Sequence, residues 1–100
     1  MHSFDEYIID TLMRDLVGHD RKPTSLLVYL WLSAEQSRSD GEVTVSYQQI
    51  AESIGVSKSS AQSAVTWLLR RKLLAVTRDS VTATPRYRVL TPWKRPQRTP

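Results

Sequence analysis

Between Ser57 and Leu74, the residues Ser59, Gln62, Ser63, Thr66 and Arg70 cluster on one side of a helix drawn at about 100° per residue. They are hydroxyls, an amide and a guanidinium, with no carboxylate among them. Groups of this kind donate and accept hydrogen bonds without committing to one charge, which suits contact with base edges in the major groove of a duplex. Ser59, Ser60, Gln62, Ser63 and Thr66 are therefore the candidate base contacts. Gln62 is the one able to meet an adenine through two bonds. Lys58, Arg70 and Arg71 flank them and are candidates for phosphate contacts, which position a protein on the duplex without reading sequence.

A helix presenting these groups needs support, and the preceding residues supply it. Ser46 can cap a helix with its hydroxyl while Gln49 reaches back to the amide of the cap, forming a capping box. From Tyr47 onward, Ile50, Ala51 and Ile54 share one side, while Gln48, Gln49, Glu52 and Ser53 face outward. Gly55 ends this helix, because glycine enters the left-handed conformation of a helix terminus without steric cost. Val56 returns to the core and Ser57 caps the second helix. There, Ala61, Ala64, Val65, Leu68 and, less closely, Leu69 form the buried stripe. After Leu74 the pattern alternates. Leu74 and Val76 oppose Ala75 and Thr77, then Tyr87 and Val89 oppose Arg86 and Arg88, as expected of two strands joined by a polar loop from Arg78 to Arg86. Val43 and Val45, after the Asp40-Gly41 turn, are expected to add a short third strand.

The text IAESIGVSKSSAQSAVTWLLRRKLL resembles the helix-turn-helix of the winged-helix superfamily. Transcriptional regulators of the MarR and GntR type carry similar sequences, as do the winged-helix domains of phage and plasmid replication proteins. The likeness runs from about Thr24 to Leu90 and includes Asp40-Gly41-Glu42 and the closing Leu73-Leu74. It implies a recognition helix in the major groove and a hairpin, the wing, lying on the DNA backbone or in the minor groove. Arg78, Arg86 and Arg88 would be the wing's phosphate contacts. The competing role for these arginines is to discourage unwanted pairing at a sheet edge, and Arg88 suits that role best. The recognition helices of those families often carry arginine where this chain has Ser63, Thr66 and Trp67.

Charge adds an independent argument. Residues 1–56 hold four Lys/Arg against nine Asp/Glu, and residues 57–100 hold ten against one, so a net charge of +4 conceals a polarised chain. The basic half contains the recognition helix and the wing, and phosphate is its natural counterpart.

Upstream, Pro23 and Thr24 open a helix to about Gln36 whose segment Leu26 to Leu32 is apolar all round and must be covered. Leu26, Leu27, Leu30 and Ala34 are expected to cover the helix-turn-helix core, leaving Val28, Tyr29, Leu32 and part of Trp31 for a second layer. An N-terminal helix can provide that layer through Phe4, Ile8, Ile9, Leu12, Met13 and Leu16, with Gly18 closing it. This packing occurs within one chain or between two copies. A homodimer is favoured, since it would offer two recognition helices to a palindromic site. Trp67 lies at the border of the core and the outer face, with three places open to it: under the wing, at a dimer contact, or along the DNA backbone. Trp31 is expected in the core, and Trp93 is expected to anchor the end of the last strand.

The chain has 100 residues, enough for one small domain without a deep substrate cleft. It has no cysteine, the first twenty residues are too acidic for a signal peptide, and no apolar run would span a bilayer, so a cytoplasmic protein is expected. His2 and His19 lack partners for catalysis or metal binding. Asp5, Glu6, Asp10 and Asp15 spread around their helix as a solubilising face. No enzyme activity, cofactor or metal is expected.

The expected fold class is mainly α with a small antiparallel sheet: a winged helix-turn-helix preceded by an N-terminal helix. Its single domain covers residues 1–90, with helices at about 4–17 and 24–36, the helix-turn-helix at about 46–72 and the wing at about 74–90. A basic, proline-rich tail follows at 91–100, in which Lys94, Arg95 and Arg98 could brush DNA. The expected function is sequence-preferring binding of double-stranded DNA by a small transcriptional regulator. Two alternatives are a replication-initiation or partition module, and a protein-interaction module using apolar surfaces of Tyr29, Leu32 and Trp67.

Overall fold

The computed structural model describes residues 6–39 and 41–93. Its main helices are α1 (Pro23–Arg38), α2 (Tyr47–Ile54) and α3 (Lys58–Arg70), and its strands are β1 (Val43–Thr44), β2 (Leu74–Thr77) and β3 (Arg86–Val89). The strands form one antiparallel sheet in the order β1-β3-β2, with Val43 opposite Tyr87 and Leu74 opposite Val89. The molecule is thus mainly α with a small antiparallel sheet, in a winged helix-turn-helix arrangement preceded by an N-terminal helical segment. Among the described residues no helix is long and apolar enough to cross a membrane.

Local signals account for the helix-turn-helix. Ser46 Oγ accepts from the Gln49 amide at 3.1 Å, and the Gln49 side chain accepts from the Ser46 amide at 2.9 Å, completing the capping box. Gly55 ends α2 at φ +80°. Ser57 Oγ then accepts from the Ser60 amide at 3.1 Å and starts α3. Ile50 and Ala51 of α2 and Ala61, Ala64, Val65 and Leu68 of α3 are buried. Lys72, at φ +59°, takes the left-handed position after α3 that glycine more often fills.

The N-terminal segment departs from the expected α-helix. It winds through two π-helical turns, Ile8–Leu12 and Asp15–His19, the second closed by the Asp20 amide on the Asp15 carbonyl at 2.7 Å. Ile8, Leu12 and Leu16 are buried and stand four residues apart. A turn wider than the α-helix keeps that spacing closer to one line. Phe4 lies outside the described residues, and Ile9 is 48 % exposed. Gly18 does not close the segment. It lies inside the second turn, and the chain reverses at Arg21, at φ +56°.

Covering α1 also works out differently. Leu27 is 47 % exposed and leaves the core, whereas Val28, Tyr29 and Leu32 are wholly buried within one chain. The Tyr29 hydroxyl donates to the Leu90 carbonyl at 2.7 Å, and the Gln36 side-chain carbonyl accepts from the Val89 amide at 2.6 Å. Because β1 is only two residues long, the Gln36 amide stands in for a strand partner at that end of β3. Trp93 stacks on Tyr7 with ring centroids 4.3 Å apart and lies against Tyr29, anchoring the end of the last strand as expected. Trp31 is half-buried at the edge of the core. Val76, expected to face inward, is 41 % exposed, since the hairpin extends past the helices and only Leu74 of β2 lies beneath them. Tyr87 is buried beside Tyr47, and its hydroxyl has no well-formed hydrogen bond among the described residues.

Candidate nucleic-acid interface

Helix α3 presents its polar side to solvent: Ser59, Ser60, Gln62, Ser63 and Thr66 are all exposed. They are not equally available. The Ser59 and Ser60 hydroxyls lie 3.2 Å and 2.9 Å from Ser57 Oγ, drawn into the cap, and Thr66 Oγ1 donates to the Gln62 carbonyl at 2.9 Å. Gln62 and Ser63 make no side-chain hydrogen bond to another described residue. They are the two groups of the five whose polar atoms are uncommitted.

The candidate phosphate contacts divide in the same way. Lys58 and Arg70 are exposed and form no ion pair among the described residues. Arg78 donates to the Ala83 carbonyl at 3.4 Å, an in-hairpin bond, and forms no ion pair among the described residues. The other three face carboxylates. Arg71 Nε is 3.1 Å from Asp20, Arg86 is 3.0 Å from Asp79 of its own hairpin, and Arg88 is 3.8 Å from Glu42, the residue before β1. Arg71 is therefore a tether between α3 and the N-terminal segment, whereas the sheet-edge role expected of Arg88 does not hold, because β3 lies between β1 and β2. Part of the positive charge assigned to this surface is locally compensated.

Trp67 is half-buried and is fixed by a carboxylate that its sequence neighbours do not announce. Its indole Nε1 donates to Asp20 Oδ2 at 3.0 Å, while Lys22 and Arg70 lie 5.1 Å and 5.6 Å from the ring centroid. By helical angle, Ser60, Trp67 and Arg71 form one flank of α3, and residues 20–22 run along that flank. The Asp20 side chain, 4 % exposed, also contacts His19 Nδ1 at 2.9 Å, whereas the His19 ring is 85 % exposed. Burial alone would push the Asp20 carboxyl up. The hydrogen bonds from His19 and Trp67 and the Arg71 guanidinium outweigh burial and hold it below the usual carboxylate range. One turn along, Ser25 Oγ donates to the Ala64 carbonyl at 3.2 Å in the buried seam between α1 and α3.

These contacts turn the outer face of α3 into one side of a shallow trough. Lys22, Gln62, Ser63, Thr66, Trp67 and Arg70 line it together with Ser59. A second hollow continues it past Arg21, Lys22, Pro23 and Thr24, again against Ser59 and Ser63. Arg21 and Lys22 are functional candidates that sequence reasoning missed. They belong to the acidic half of the chain, and only the tertiary contact of Asp20 with Trp67, 47 positions away, brings them beside α3.

Tyr29 and Leu32, considered as part of an apolar docking surface, are wholly buried and offer none. Among the described residues no three side chains of His, Asp or Glu converge to hold a metal ion. Lys94, Arg95 and Arg98 lie outside the described residues. Compared with protein-family models, with curated proteins and with solved structures, the chain matches none of them.

Proposed function

We propose that this protein binds double-stranded DNA with sequence preference, α3 entering the major groove and the hairpin lying along the backbone, as a small transcriptional regulator. The observation that carries this reading is the outer face of α3. Gln62 and Ser63 are exposed there with their polar groups uncommitted, no acidic residue occurs on the helix, and cations border the trough beside it. Base edges need such uncharged donors and acceptors, and phosphates need the cations around them. Among the cations, Lys58 and Arg70 hold phosphates from the helix and Arg78 from the hairpin. Catalysis has no part in this reading.

The same reading includes a homodimer formed through the N-terminal segment and α1. Ile9, Val17 and Leu27 are the large apolar side chains these elements leave 41 to 48 % exposed. Sedimentation equilibrium at micromolar concentration should give twice the monomer mass, and Leu27→Lys should shift it toward the monomer. A single-chain mass for the unsubstituted protein would remove the dimer.

Selection of bound fragments from random duplex DNA tests the function directly. The expected result is a short enriched motif whose affinity falls steeply with salt. A palindrome would match a symmetric regulator, whereas direct repeats would move the assignment to the replication-origin class. No retention of any duplex in low salt, where backbone attraction is greatest, would overturn DNA binding altogether.

A further inference from the structure

Asp20 fastens a turn to the flank of α3, and that turn carries two cations no local motif announces. Three donors converge on the buried Asp20 carboxylate, from His19, from Trp67 of α3 and from Arg71 at the C-terminal cap of α3. The next residue, Arg21, is exposed and stands at φ +56°, a conformation that costs a side-chain-bearing residue energy which glycine would avoid. Lys22 follows, its ammonium over the Trp67 ring. Both line the trough beside Ser59 and Ser63, and neither meets a carboxylate among the described residues. A strained backbone that holds an unpaired guanidinium next to an uncharged reading face points to an anion as the missing partner.

We propose that the Arg21-Lys22 turn is a second backbone grip, in which these two side chains hold phosphates of the DNA strand that borders the groove occupied by α3. The proposal rests on the DNA-binding reading and adds to it a contact from the acidic half of the chain. The grip lies on the Trp67 flank of the helix, and its continuity with the reading face lets one strand meet both. It also accounts for the tethering role of Arg71, whose charge orders the turn rather than touching DNA.

The test compares the salt dependence of binding to one random-sequence duplex for the full chain, Arg21→Gly and Lys22→Gln. Each variant should lower the slope of log affinity against log salt by about one unit, and the double variant by about two. Glycine at position 21 relieves the left-handed backbone, so Arg21→Gly should melt no lower than the parent even as it binds more weakly. Loss of function without loss of stability separates a contact from a structural role. Slopes unchanged in both single variants, with the parent binding normally, would overturn the grip and leave DNA binding by α3 intact. Failure of the parent itself to bind any duplex would remove both.

Discussion

Gln62 and Asp20 show how differently single side chains contribute here. Gln62 stands exposed and uncommitted, so its removal should leave the fold unchanged. If its amide meets an adenine, Gln62→Ala should cost about 1 to 3 kcal/mol of discrimination at one base pair. Comparing preferred with random duplex measures this, and equal losses on both would deny it a reading role. Asp20 instead works inward. Its carboxyl titrates below the ordinary 3.8, so the stabilisation it brings is fully present above that value and is lost as the pH falls through the folded value. The melting temperature attributable to this group should stay level from neutrality to about pH 4 and fall below it. Asp20→Asn should cost about 1 to 2 kcal/mol at pH 7 and flatten the acid limb. An Asn variant whose acid limb matches the parent's would mean that other carboxylates govern that loss.

At the scale of elements, the hairpin arginines separate by partner. Among the described residues Arg78 meets no carboxylate, while Arg88 faces Glu42, so charge removal should act unequally. Arg78→Gln should reduce the salt slope of DNA binding by about one unit and Arg88→Gln should leave it near the parent value. Equal slopes for parent and Arg78→Gln would take the hairpin out of the interface. Much at this scale was legible in the sequence, because the signals are local. Ser46 with Gln49, Gly55 and Ser57 delimit the two helices through contacts no more than four residues long. Where the cause is tertiary, reading failed. The exposure of Val76 depends on how far the helices reach over the sheet, and the position of Trp67 depends on Asp20. Nothing near Trp67 in the chain announces that carboxylate, and so the cations beside it went unread.

For the molecule as a whole, two buried tyrosines make a test of how the layers are joined. The Tyr29 hydroxyl spans from α1 to the Leu90 carbonyl, whereas burial raises the Tyr87 phenol well above its ordinary value, the Tyr47 side chain beside it adds to this, and its hydroxyl has no well-formed hydrogen bond among the described residues. Tyr29→Phe should destabilise by about 1 kcal/mol, and Tyr87→Phe should be neutral or stabilising by a similar amount. Chemical denaturation midpoints at constant slope measure both. A loss on Tyr87→Phe as large as that on Tyr29→Phe would show that its hydroxyl has a partner in solution. The bond from Tyr29 to Leu90 joins positions 61 residues apart, and Gln36 reaches Val89 across 53. During synthesis α1 follows the N-terminal segment that covers part of it, and the strand that completes its covering is translated some fifty residues later. Until then the part of α1 that faces Val89 and Leu90 stays open, and the final collapse waits on the last strand.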